Sequence, residues 1–388
     1  MNLRWLEPLT KRTGPFAVVV MEATQEAPDG RAQVELRWRA HRERLAEAGV
    51  GDGMLDQIEE AVLAPEPSSD EGDQLGPAIR GGPRGRVVVA DPGGIALDVT
   101  LPDPPLREAR SWGPVPSLLP LLRGTSRLLD YLLVDVTAGD AVLRRVGLLQ
   151  RTRQSHVAGD DDVLHKVPGG GWAHYRMERR VEDSVTRNAK QFAEVVSGEL
   201  RRHRPSLLLL SGEDKVVHEL TAHLPPKAAA EAVRLSRRGE AQDDEISELV
   251  DQELWRRRTE VVDRFRAGEG RQSGAVQGLG DVVTALRAGQ VEELILEDDP
   301  SSDLRLWSDG RPEHLGLTRE DVLALGAESA EQVRADAAIV WALVGTNASI
   351  ELTDPGEVDL TDGIGATLRW ADQSTPRDQA RSMPGHGE

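Results

Sequence analysis

The chain of 388 residues contains no cysteine. That absence excludes disulfides, thiol nucleophiles and cysteine-ligated zinc together, and it suits a reducing, cytoplasmic setting. Aromatic residues are scarce at 3%, with Trp 8, Tyr 2 and Phe 3, so the cores have to be built from Leu, Val and Ala. No apolar run approaches the roughly 20 residues of a membrane-spanning helix, and the opening stretch MNLRWLEPLTKR lacks the apolar centre of a signal peptide. A soluble, unexported protein with no membrane partner is expected. There is no Gly-Lys-Ser or Gly-Lys-Thr phosphate loop, which removes that route to nucleotide hydrolysis.

At this length the chain exceeds what one hydrophobic core usually serves, and two or three domains are expected. The formal net charge is −19. Taken whole, that argues against nucleic acid, because phosphate contacts need local positive potential. The distribution reads differently. Residues 141–210 carry 13 Lys and Arg against 8 Asp and Glu, a local charge of +5, whereas 291–388 carry 7 against 21, a local charge of −14. A basic segment inside an acidic chain implies different partners for different domains, although an acidic surface also serves solubility alone.

Periodicity and turn chemistry order the elements. A strand is expected at 16–21, helices at 31–48 and 54–63, a loop rich in Pro, Gly, Ser and acids at 65–83, and a hairpin of 86–90 and 95–101 about Asp91-Pro92-Gly93-Gly94. The Pro-rich stretch 101–120 reads as passage to the next domain. Strands at 131–136 and 141–146 flank the turn Thr137-Ala138-Gly139-Asp140. Met177, Val181, Val185, Ala189, Phe192, Val196 and Leu200 recur at three- and four-residue steps, which predicts a helix with one apolar face. Residues 207–210 read as a strand buried on both faces, 243–266 as a helix and 267–274 as a linker. Beyond it come a helix marked by Val276, Leu279, Val283 and Leu286, a strand at 291–296, a helix at 330–344 and a strand at 349–352. The expected fold is α/β in three domains: an α/β N-terminal domain (1–125), a mixed α/β middle domain (126–268) and a small three-layer C-terminal domain (269–372), with a disordered tail (373–388).

The run Pro168-Gly169-Gly170-Gly171-Trp172 stands directly before the long helix. Successive glycines reach φ values closed to other residues and let a ligand approach the backbone at a helix N-terminus. Trp172 can stack on a base, and Arg176, Arg179, Arg180 and Arg187 lie largely off the apolar face, where they can neutralise phosphates. This is an arrangement for touching RNA. The plainer alternatives are an ordinary surface connection and a solvated basic face.

The domain order and several stretches resemble the bacterial relatives of the archaeal and eukaryotic class-1 release factors and of Pelota. In the C-terminal domain the resemblance rests on Ala275-Val276-Gln277-Gly278-Leu279, on 285–296 and on Gly363-Ile364-Gly365-Ala366-Thr367-Leu368-Arg369-Trp370. It implies a fold shared with kink-turn-binding ribosomal proteins there, and an RNase-H-like fold for the middle domain, in which a Gly-Gly-Gln loop precedes a basic helix. Residues 1–125 show no counterpart of the family's stop-codon-reading motif. In release factors the glutamine of that loop helps position the water that hydrolyses peptidyl-tRNA; here Gly170-Gly171 is followed by Trp172. An indole N–H donates but cannot accept, and the ring leaves no room for an attacking water. No catalytic residue is therefore assigned. The pattern is similar to the actinobacterial Balon-type hibernation factors, which implies occupation of the vacant ribosomal A site from decoding centre to peptidyl-transferase centre, contact with 16S and 23S rRNA, and elongation factor Tu as a companion. The RNA-binding candidates are Gly169, Gly170, Gly171, Trp172, His174, Arg176, Arg179, Arg180 and Arg187. The rival readings are a peptidyl-tRNA hydrolase or rescue factor and a stress-response adaptor that binds proteins. The protein is expected to be a monomer off the ribosome.

Other chemistry is thin. Asp135 alone does not supply the converging acids of two-metal catalysis, and Asp160-Asp161-Asp162 reads as a solvated loop cluster. His218 and His223 are five apart, off the step that aligns zinc ligands on one helix face. No metal or cofactor is expected. The acidic stretch Glu292, Glu293, Glu297, Asp298 and Asp299 is more suited to a protein partner than to RNA.

Overall fold

Residues 16–21, Phe-Ala-Val-Val-Val-Met, are apolar on both strand parities and suit only a strand covered on both faces. In the computed structural model they form β1 (Phe16–Glu22), buried at every position but the last. The structure describes residues 1–25, 29–64, 83–147, 153–159, 172–237, 239–271, 274–299, 302–372 and 375, with the backbone alone at 172–183 and 240. The chain divides into two compact units, one of Met1–Glu66, Gly82–Arg127 and Leu254–Glu388, the other built on Leu128–Glu253. The loop expected at 65–83 falls outside the described residues except at Pro83, and the tail expected from Gln373 falls outside except at Thr375.

In the first unit β1 is followed by α1 (Gly30–Glu47), α2 (Asp52–Leu63), β2 (Gly85–Asp91), β3 (Gly94–Leu101), β4 (Ala109–Gly113) and α3 (Leu119–Thr125). The strands form an antiparallel sheet in the order β3-β2-β1-β4. Helical spacing places Val34, Trp38 and Leu45 of α1 and Leu55, Ile58 and Val62 of α2 against Ala17, Val19, Met21 and Val88. The opposite parity of β1 turns Phe16 edge-on to Trp341, with ring centroids 5.6 Å apart. The stretch 101–120 is thus no mere passage between domains. It supplies β4, an edge strand whose Arg110 and Ser111 give no apolar alternation to read.

The second unit holds β5 (Tyr131–Val136), β6 (Asp140–Val146), β7 (Arg153–Ala158), α4 (Trp172–His203), β8 (Leu207–Gly212), α5 (Asp214–His223), α6 (Pro226–Glu231) and β9 (Ala232–Arg234). The sheet order is β7-β6-β5-β8-β9, antiparallel through β5, β6 and β7 and parallel from β5 through β8 to β9. This is the RNase-H-like arrangement. One face carries Leu132, Val134, Leu143 and Leu210 against Val185, Phe192 and Val196 of α4 and Val216 and Leu220 of α5. The other carries Tyr131, Leu133 and Leu209 against Ile246 of α7 (Glu240–Gly270).

Helix α7 runs on from the second unit into the first, where Val261, Val262 and Phe265 join Ile295 and Val358. It continues through Gly270, so residues 267–270 are helix where a linker was expected. The first unit then adds β10 (Ala275–Gln277), α8 (Leu279–Arg287), β11 (Val291–Glu297), β12 (Arg305–Ser308), β13 (Leu315–Gly316), α9 (Arg319–Ala324), β14 (Glu331–Arg334), α10 (Ala335–Thr346), β15 (Ser349–Thr353) and β16 (Ile364–Leu368). Val276 belongs to a strand and not to the following helix, because Gly278 at φ 82° turns the chain between them. The larger sheet has the order β10-β16-β11-β15, with β11 and β15 parallel. A smaller one, β13-β12-β14, is inserted before α10. Helix α10 is buried without interruption from Ala337 to Val344 and touches α8, β12, α3 and the 3-10 helix Arg4–Lys11. Among the described residues no helix is long and apolar enough to cross a membrane.

Candidate nucleic-acid interface

Gly169, Gly170 and Gly171 lie outside the described residues, as do the side chains of Trp172, His174, Arg176, Arg179 and Arg180; the backbone of 172–180 is the start of α4. At about 100° per residue, positions 176, 180 and 187 share one stripe of the helix, opposite the stripe of Val185, Phe192 and Val196. Those three are buried against the sheet, while Arg187 and Lys190 are exposed. Residues 172–184 continue α4 toward its N-terminus by about 20 Å beyond Val185.

What the sequence did not reveal is how α4 is tied to the sheet near the loop. The β5–β6 turn and the end of β7 meet at one point, where Gly159 N donates to Gly139 O at 2.7 Å. Asn188, 2% exposed, inserts there from α4 and donates through Nδ2 to Ala138 O at 2.9 Å, and Gln191 Nε2 reaches Ala158 O at 3.4 Å. A Cβ on Gly159 would lie 2.5 Å from Asn188 Nδ2 and 2.8 Å from Gly139 O, so only glycine fits. The available signal was an asparagine set into the apolar rhythm of Val185, Ala189 and Phe192. Strand β7 has no such signal. Arg153, Gln154, Ser155 and His156 are exposed on an edge strand and show no apolar alternation, and the pair of His156 and Asp140 at 3.4 Å is a weak surface contact.

The remaining candidates do not converge. Asp135 sits on β5 beside Ser211 of β8. Asp160, Asp161 and Asp162 lie outside the described residues. His218 is exposed, and His223 places Nδ1 2.8 Å from Glu219 O within its own helix. Among the described residues no cluster of His, Asp and Glu suited to a metal is found. The acidic stretch of the first unit is partly consumed internally. Arg264 lies 3.3 Å from Glu293, Glu297 accepts from Gly356 N at 2.9 Å, and Asp298 is ion-paired with Arg123. Burial raises the pKa of Glu293, opposed by the N-terminal ammonium and Arg264.

Residues 130–271 match the model of bacterial archaeo-eukaryotic release factor family 2. Through these residues the chain belongs to the bacterial archaeo-eukaryotic release factors. The matched release-factor segment contains the whole sheet of the second unit, α4 and the glycine run. An uncharacterized protein of Mycobacterium tuberculosis, found in strains H37Rv and CDC 1551, is 28% identical over 382 residues, covering 95% of this chain and 96% of its own length. Among solved structures, the archaeal termination factor aRF1 is 12% identical with a TM-score of 0.23, covering 95% of this chain and 96% of its own. Dom34 of Saccharomyces cerevisiae is 10% identical with a TM-score of 0.39, covering 75% and 81%. At such TM-scores these likenesses support no inference about this chain.

Proposed function

We propose that this release-factor relative binds ribosomes in the vacant A site, in the manner of the Balon-type hibernation factors, and that it does not hydrolyse peptidyl-tRNA. The observation that carries the reading is the tryptophan: within the matched segment, Trp172 follows Gly170-Gly171 at the head of α4, where the resemblance calls for glutamine. A side chain able to stack but unable to hold and orient water suits a grip on the peptidyl-transferase RNA better than ester cleavage. In this reading Gly169, Gly170 and Gly171 approach 23S rRNA, Trp172 stacks, and Arg176, Arg179, Arg180 and Arg187 neutralise phosphates, with His174 beside them. Residues 1–125 face the decoding centre and 16S rRNA. Elongation factor Tu is the delivery partner, and the protein is a cytoplasmic monomer when released.

The test combines two measurements. The full-length protein is sedimented with vacant 70S ribosomes at low salt, and it is incubated with ribosomes carrying labelled peptidyl-tRNA. Co-sedimentation without peptide release is expected. Prompt release would favour a rescue hydrolase, and absence from the 70S fraction would favour an adaptor; either result overturns the proposal.

A further inference from the structure

A cavity of about 290 Å³ opens at the carboxyl ends of the parallel strands β8 and β9, lined by Ser211, Gly212, Asp214, Arg234, Ser236 and Arg237. In mixed sheets of this kind such an edge is where ligands are received, since backbone groups and helix N-termini converge there. Gly212, at φ 129°, presses so close to Val136 O that a Cβ would lie 1.9 Å away. This tight turn starts the ten-residue α5 at the cavity, and its N-cap, Glu213, makes no side-chain capping bond. The first-turn amides thus meet the cavity as a positive helix end. Ser211 supplies the second observation. It lines the cavity, is 4% exposed, and its hydroxyl makes no hydrogen bond among the described residues. Burying such a group unpaired is unfavourable, so the site is built for a ligand that satisfies it.

The charges define what that ligand is. Arg234 is ion-paired with Asp214, and Arg237 lies 3.2 Å from Glu248. Both arginines and their carboxylate partners are exposed, with side-chain exposures of 50% and 87% in the first pair, so these contacts exchange readily for a phosphate. Asp214 in the lining and Asp135 beside Ser211 would repel a bare anion but accept from hydroxyls. The volume is at the small end for ligand pockets. We infer that this cavity binds a single ribonucleotide, with its phosphate on Arg234, Arg237 and the N-terminus of α5 and its ribose hydroxyls on Ser211 and Asp214. The nucleotide is either free or one unit of an RNA strand.

The site is independent of the ribosome-binding reading and is tested off the ribosome. Equilibrium dialysis of the full-length protein is run with adenosine 5′-monophosphate, with adenosine and with a hexamer of adenylates. The monophosphate is expected to bind about tenfold more tightly than adenosine, in keeping with the strength of bonds to a charged group. Arg234→Gln and the smaller change Ser211→Ala should each weaken binding several-fold while the circular-dichroism melt and co-sedimentation with 70S ribosomes stay unchanged. Binding of the hexamer but not the monophosphate, with the same loss in both variants, would support the site and assign the nucleotide to RNA. No binding of either probe at millimolar concentration, or binding indifferent to both variants, overturns the inference.

Discussion

The junction of Asn188 with Gly159 makes a quantitative forecast. Replacing Asn188 with Ala removes its 2.9 Å bond and leaves the carbonyl of Ala138 unpaired, at a cost of about 1–3 kcal/mol. Replacing Gly159 with Ala puts a methyl 2.5 Å from Asn188 Nδ2, 2.6 Å from its Cγ and 2.8 Å from Gly139 O, an overpacking cost of about 1–3 kcal/mol. Two of those three close atoms belong to Asn188. In the double variant they are gone, and the new methyl partly fills the space they leave. The double variant should therefore be less destabilised than the sum of the singles by about 1 kcal/mol or more. Because the chain has two compact units, its global unfolding need not be a single transition. Amide hydrogen exchange in β6 and α4 reads the local opening free energy directly. Additivity of the two substitutions within about 0.5 kcal/mol would refute the reasoning. Should α4 carry the ribosome contact, the singles also weaken co-sedimentation and the double recovers part of it.

Three further outcomes are expected. Changing Arg176, Arg180 and Arg187 together to Gln should weaken ribosome binding and flatten its dependence on salt, by a slope of about 0.7–0.9 for each phosphate no longer neutralised; a salt dependence equal to that of the unaltered protein would show that these arginines touch no phosphate. Trp341, 1% exposed, packs on Phe16 and donates through Nε1 to Gly310 O at 2.8 Å, so Trp341→Ala should cost about 3–5 kcal/mol, read as a lowered urea midpoint of the first unit. His41 lies 3.1 Å from Glu108, and burial lowers its pKa against the raising influence of that carboxylate. With the folded value below the unfolded value of about 6.5, the unfolded chain takes up the proton first, so stability present above that pH is lost as pH falls through the folded pKa. His41→Gln should reduce this acid sensitivity in urea melts between neutral and mildly acidic pH, and equal slopes would contradict the account.

Sequence alone determined the elements whose burial imposes a period. The continuous apolar runs of β1 and β8, the hairpin of β5 and β6 and the stripe of Val185, Ala189, Phe192 and Val196 could be read because each contacts a core formed along its whole length. It also supplied the tryptophan after the glycines, a matter of covalent order. Tertiary structure decided what depends on partners distant in the chain. Edge strands β4 and β7 have no periodic face, because one side meets solvent and only pairing with β1 or β6 makes them strands. Helix α10 is apolar all round because it touches α3 and the 3-10 helix from the chain's first part as well as α8 and β12, so residues far apart in sequence share one core and one unit. The same holds for Asn188 against Gly159 and for the unpaired hydroxyl of Ser211: a single polar residue has no period, and its role exists only once the backbone has closed around it.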